Sequence, residues 1–173
     1  MILIRALGLG RCLGRFAASV DTLYAGRRSP PLDRNLFCTT QFLGNGRRIF
    51  VEFIHQDSIV TLSNPGVRSR QLLCPDNSQG QRVTITEVHL DPEACQPRHT
   101  HPASEQIWYA IQGTGVLLLA GDQERPFQAG DVARFAEGDV HGLRNDGAEE
   151  FVYLSVTAPP MDFGYAYHQT NKE

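Results

Sequence analysis

From residue 49 onward, apolar and β-branched residues come in short runs, each cut off by glycine, proline or a small polar residue. IFVEFI (49–54), SIVTL (58–62), RSRQLL (68–73), RVTITEVHL (82–90), QIWYAI (106–111), GVLLLA (115–120), RPFQ (125–128), DVARF (131–135) and EFVYLSVT (150–157) follow one another at regular spacing. Between them stand Asn64-Pro65-Gly66, Asp91-Pro92, Gly113-Thr114-Gly115, Gly121-Asp122, Ala129-Gly130-Asp131, Gly138-Asp139 and Asn145-Asp146-Gly147. These residues accept positive φ or fix a proline bend, which is the chemistry of tight turns. Many short strands separated by regular turns predict an all-β sandwich or barrel. No stretch of the body holds a helical period, which argues against a doubly wound sheet, and no repeat of 20–50 residues is visible. The expected organisation is one barrel over 57–160, a preceding strand or linker region over 35–56, and a tail, 161–173, that packs back on the barrel.

Charge divides the chain differently. Residues 1–34 hold six arginines against Asp21 and Asp33, whereas the whole chain has 16 basic and 19 acidic residues. The remaining 139 residues therefore carry ten basic and 17 acidic groups, a net of −7, on a body with ordinary hydrophobic content. An acidic body argues against nucleic acid as the partner. No apolar run approaches the roughly 20 residues that span a bilayer, so no membrane partner is expected. The Arg-rich head, ending in Arg27-Arg28-Ser29-Pro30-Pro31, reads as an extension outside the fold. A cytoplasmic location is expected, or a mitochondrial one if the source is eukaryotic and the head is a presequence. Cys12, Cys38, Cys74 and Cys95 show neither a C-x-x-C pair nor zinc-ribbon spacing, and are expected to be free thiols.

The chemistry concentrates in RHTHPASEQIWYAIQGTG (98–115) and GDVARFAEGDVHGLRN (130–145). Alternation along a strand would put His99 and His101 on one face, about 6.6 Å apart. Imidazoles at that spacing can converge on one metal ion. His141 stands at a matching place forty residues on, after the Gly138-Asp139 turn. His55, His89 and His168 lie outside these stretches and read as surface or structural residues.

The two stretches resemble the paired motifs of the cupin superfamily. The first, G-x5-H-x-H-x3/4-E-x6-G, is met by His99, His101 and Gly113, without its opening glycine. The second, G-x5-P-x-G-x2-H-x3-N, is met by Gly130, Gly138, His141 and Asn145, with Ala136 in the proline place. The resemblance implies a single-domain cupin β-barrel, a jelly roll or double-stranded β-helix. It implies too that the chain forms a homodimer, as many one-barrel cupins pair through their sheets. It further implies one divalent transition metal (Zn, Ni, Fe, Mn or Cu) held by His99, His101, His141 and one neighbour from Glu105-Gln106. Counting back from Gly113 selects Gln106; counting forward from His101 with the shorter spacer selects Glu105. Gln106 is the favoured ligand and Glu105 the alternative. Cupins that act on unsaturated uronates use a similar set of two His, Gln and His. Three imidazoles and an amide leave the full +2 charge on the complex, which favours an anionic or oxygen-rich ligand.

Around such a site, Trp108 shares a face with Gln106 and would wall the pocket. Arg134 is the best carboxylate clamp among Arg98, Arg134 and Arg144. Tyr153, with Phe151, would close the far end, and Tyr165 or Tyr167 in the tail would seal the mouth or meet a second copy. The leading expectation is a metal-dependent enzyme acting on a small oxygen-rich or anionic metabolite. It would be of isomerase/lyase type, with Glu105 or a metal-bound water moving the proton, or of dioxygenase type. The alternative is a cupin that binds a small metabolite or sugar without turning it over.

Overall fold

The computed structural model describes residues 37–42, 48–167 and 169–172, with side chains from 51 through 167. The Arg-rich head and His168 lie outside the described residues. Thirteen strands appear in them, without an α-helix: β1 Phe37–Phe42, β2 Arg48–Phe53, β3 Val60–Asn64, β4 Val67–Leu73, β5 Thr84–Leu90, β6 Cys95–His99, β7 Glu105–Gln112, β8 Thr114–Leu118, β9 Glu124–Gln128, β10 Val132–Phe135, β11 His141–Arg144, β12 Phe151–Ala158 and β13 Gln169–Lys172. Among the described residues, β1 and β2 pair only with each other. The others form two antiparallel sheets, β10-β7-β12-β5-β4-β3-β13 and β6-β11-β8-β9. The architecture is the all-β barrel that the run-and-turn pattern predicts, and the tail contributes β13 as an edge strand beside β3.

Alternation explains which face turns inward. β5 buries Thr84, Thr86, Val88 and Leu90, and β12 buries Phe151, Tyr153, Ser155 and Thr157. On β7 the buried residues are Gln106, Trp108 and Ala110, while Ile107, Tyr109 and Ile111 face out. Register lines these side chains up in rows across the large sheet. Gln106, Thr157 and Thr84 form the first, and Trp108, Ser155, Thr86 and Gln71 the second. Ala110, Tyr153, Val88 and Ser69 form the third, and Phe151, Leu90 and Val67 the last. The interior thus runs from polar to apolar, and Leu117, Phe127 and Leu143 of the small sheet complete the apolar core.

Asn145, the terminal residue of the second motif, is a structural pin. Fully buried, its amide N–H groups reach the carbonyls of Leu90, Asp91 and Glu149 at 3.0, 3.1 and 2.8 Å. The Gly147 N–H donates back to its Oδ1 at 2.9 Å. One residue thus ties the end of β5 to the β11–β12 turn. Gly113, at φ 81°, sits where a Cβ would lie 2.8 Å from the Glu150 carbonyl, so the β7–β8 turn admits only glycine.

The cysteines differ from expectation. Cys74 is a free, buried thiol, but Cys95, at the head of β6, is disulfide-bonded. Pairing depends on Cα separation in space, which sequence spacing does not reveal.

Candidate metal centre

His99 closes β6 and His141 opens β11, and the two are direct cross-strand partners. The next pairing, Leu143 with Gln96, skips a residue, so β6 bulges opposite Gly142. A Cβ on Gly142 would lie 2.7 Å from the Gln96 carbonyl oxygen and 2.9 Å from the Arg98 nitrogen. Glycine there lets β6 press onto β11 and brings the two imidazoles to 4.5 Å between centroids. His101 lies beyond the end of β6, so strand alternation is not what aims it. Its carbonyl accepts the Gly138 N–H at 2.9 Å, stitching its loop to the turn that precedes His141. That turn is closed by the Ala136 N–H donating to Asp139 Oδ2 at 2.8 Å.

The donor atoms of His99, His101 and His141 all lie within 4.8 Å of one another. Their tautomers follow from their partners. A carbonyl only accepts, so the Nδ1 of His99, 2.8 Å from the Pro97 oxygen, carries a proton, as does that of His141, 2.9 Å from the Asp139 oxygen. Burial lowers the pKa of His99, and lowers that of His141 to about 4. Burial, then the charges of His99 and His141, lower that of His101 to about 3. All three are neutral at pH 7, and Nε2 of His99 and of His141 is a bare lone pair. Both ring nitrogens of His101 are buried without a hydrogen-bond partner.

Gln106, 3 % exposed, lies against the same histidines. The Trp108 indole N–H, a donor only, meets its Oε1 at 3.0 Å, and its Nε2 donates to Thr157 Oγ1 at 3.0 Å. The same Oε1 lies 3.1 Å from His141 Nε2. With His141 neutral, no proton stands between those two atoms, and two lone pairs face one another. Acceptors that converge, beside an imidazole with no hydrogen-bond partner, form a set of neutral nitrogen and oxygen donors. These residues fit one divalent metal ion.

The remaining site expectations divide. Glu105 is on the opposite face of β7, where it pairs with Arg134 at 2.5 Å. Both line an open outer groove of about 660 Å³ with Gln81, Arg82 and Glu137. One-residue alternation separates Glu105 from Gln106, and Arg134 sits opposite the outward Ile107 in the β10–β7 register. The structure therefore brings neither residue to the cluster: Glu105 and Arg134 lie together on the outer face of the large sheet, apart from the three histidines. Trp108 and Tyr153 do face inward, each 1 % exposed, with ring centroids 4.6 Å apart. The Tyr153 hydroxyl donates to Gln96 Oε1 at 2.6 Å. Tyr165 is exposed, whereas Tyr167 packs against the core.

Sequence reasoning missed Gly142, Thr157, Gln96 and Phe163. The last stands edge-on to His101 at 5.9 Å, carried over the mouth by residues 159–167. Ser104 Oγ donates to the Pro159 carbonyl at 2.9 Å and Asn64 Nδ2 to the Ala166 carbonyl at 2.9 Å, holding that segment down. Only the aromatic content of the tail hinted at this cover.

Comparison with known proteins agrees with this architecture. Residues 86–157 match the family model described as Cupin domain. Over 90 residues the chain is 27% identical to an oxalate-binding protein of Thermotoga maritima, covering 52% of this chain and 74% of that one. It is 24% identical over 115 residues to the tetracenomycin polyketide synthase protein TcmJ of Streptomyces glaucescens, covering 65% and 76%. Among solved structures, a conserved protein with a double-stranded beta-helix domain from Klebsiella pneumoniae superposes with a TM-score of 0.52. It is 28% identical, over 57% of this chain and 81% of that one.

Proposed function

The chain belongs to the cupin superfamily, and on that premise we propose that it is a metal-dependent barrel acting on a small oxygen-rich ligand, with His99, His101, Gln106 and His141 as the metal's protein ligands. The observation that carries this reading is the convergence of the three histidines' donor atoms within 4.8 Å, with Gln106 Oε1 3.1 Å from His141 Nε2 and both ring nitrogens of His101 buried without a hydrogen-bond partner. Neutral nitrogen and amide donors suit zinc, nickel, iron, manganese or copper. When bound, the ion supplies a Lewis acid of undiminished +2 charge, suited to a carboxylate, carbonyl or enolate oxygen. The residues of the chain hold the donors in place, and Phe163 with the 159–167 segment keeps water from the cluster.

Within that reading the enzyme is of isomerase/lyase or dioxygenase type. A second reading, capture without turnover, is favoured by one observation. The described residues that are fully buried include no aspartate, glutamate, lysine or arginine. The buried Tyr153 hydroxyl is pushed well above its ordinary pKa and stays protonated. The interior therefore offers hydrogen-bond donors and a metal site but no carboxylate base. The Thermotoga relative is named for binding oxalate and the Streptomyces relative for polyketide synthesis, and a small oxygen-rich ligand is common to both readings. A second copy of the chain remains the expected partner.

Elemental analysis of the purified protein beside Gln106→Ala and Glu105→Ala tests the site. Near-stoichiometric metal, lost with Gln106→Ala and kept with Glu105→Ala, is the expected result. A protein that takes up no divalent ion after refolding with each metal overturns it. Oxygen uptake by an iron-loaded protein, or conversion of hydroxy and keto acids by a zinc- or nickel-loaded one, separates the enzyme from the binder.

A further inference from the structure

An amide is a lopsided ligand. Its oxygen coordinates and its nitrogen does not, and a half-turn about the terminal bond exchanges the two. What holds the oxygen of Gln106 toward the three histidines is visible in its contacts. Thr157 Oγ1 does not discriminate, because a hydroxyl accepts from an NH₂ or donates to a C=O equally well. His141 Nε2, a bare lone pair, favours the wrong orientation: a turned amide would donate an N–H to it. That turned state would satisfy both of these neighbours, with Thr157 donating to the amide oxygen and His141 accepting from the amide nitrogen. It would also block the cluster. The one contact that forbids it is the Trp108 indole N–H at 3.0 Å, a donor with no acceptor capacity.

We propose that Trp108 is a positioning residue. Its indole N–H holds the Gln106 amide oxygen toward His99, His101 and His141, and prevents the cluster from closing on itself through an amide–imidazole hydrogen bond. This rests on the four-ligand reading above and adds a residue that touches no metal. Trp108 is itself fixed, with its ring 4.9 Å from Phe135 and 4.6 Å from Tyr153, so its N–H has a constant direction. Its neighbour two positions earlier on the same inward face of β7 is Gln106 itself.

The test is a double-mutant cycle on metal affinity, read by chelator competition with cobalt(II) on the full chain. In the Gln106 background, Trp108→Phe keeps the ring and removes the N–H. Affinity is expected to fall about ten- to a hundredfold, the range for residues that orient metal ligands. In the Gln106→Glu background the same change is expected to alter affinity less than about threefold, because a carboxylate has two equivalent oxygens and no wrong end. A residue that merely fills space costs the same in both backgrounds, and equal losses overturn the proposal, as does no loss with Gln106 present. A parent chain that binds no cobalt fails the four-ligand reading itself, a distinct outcome. A second readout needs no variant. Trp108 is the single tryptophan of the chain, so its emission should shift during a zinc titration with the midpoint found by competition. Zinc bound with the emission unmoved also overturns the proposal.

Discussion

The two ends of the barrel interior are built from the same strands yet follow opposite rules. At one end Val67, Val88, Leu90 and Phe151 pack with Leu117, Phe127 and Leu143, and the one buried amide nearby, Asn145, has its donors and acceptor all engaged. At the other end Gln71, Thr84, Thr86, Gln106, Ser155 and Thr157 turn inward, and both ring nitrogens of His101 and the hydroxyl of Ser155 are buried with no partner. A buried polar atom without a partner costs about 1–3 kcal/mol. Stability therefore comes from one end, and the other is kept in a condition that packing alone would not maintain. Among the described residues, three of the five buried side-chain atoms without a hydrogen-bond partner, both His101 nitrogens and the Ser155 hydroxyl, belong to this polar end; Thr61 Oγ1 and His89 Nδ1 lie elsewhere.

Perturbing each end should separate these roles. Leu90→Ala, at the apolar end and fully buried, is expected to cost about 2–5 kcal/mol in urea unfolding while leaving metal stoichiometry unchanged in the folded protein. Loss of metal from that variant would show the ends to be one unit. Acid acts on the polar end. Unfolded histidines take up protons below about pH 6.5, whereas folded His141 and His101 resist until about pH 4 and about pH 3. Between those values the unfolded chain binds more protons, so acid favours unfolding. The metal-free protein should melt at progressively lower temperature from pH 6.5 toward pH 4, and His101→Leu should flatten that slope.

Ser155→Ala removes an unpaired hydroxyl, 4 % exposed, and is expected to leave the thermal midpoint unchanged or raise it by up to about 1 kcal/mol equivalent. A marked loss would reveal a partner for that oxygen. The smallest effect belongs outside the barrel. Glu105→Gln breaks a largely exposed pair with Arg134, a class of contact contributing about 0.2–1 kcal/mol. Calorimetry should find little change, and metal content none.

Much of this was legible before folding. β3, β5, β7, β8, β10 and β12 announce themselves by β-branched and aromatic residues between turn signals, and the three histidines by the H-x-H pair His99 and His101 and by His141 after the Gly138-Asp139 turn. β6 and β11 do not. CQPRH contains a proline and HGLR a glycine, and they are strands because the chain on either side forces them together. The choice between Glu105 and Gln106 stays open under motif counting because the spacer permits both. Only the face of β7 separates the two, with Gln106 turned inward and Glu105 outward, and register is a property of the sheet. Register places Arg134 in the same way: its charge suits a clamp, but Phe135 takes the inward position, 5 % exposed, stacked on His141 at 4.4 Å.

Gly142 makes the centre vulnerable at a position that carries no functional group. Any side chain there must push β6 away from β11, since the atoms it would meet are backbone and have nowhere to turn. A saturation screen scored by metal retention should find Gly142 as intolerant as the histidine beside it, with even alanine failing. A descendant of this chain would then have two separate routes to an empty barrel: losing an imidazole, or gaining a methyl group.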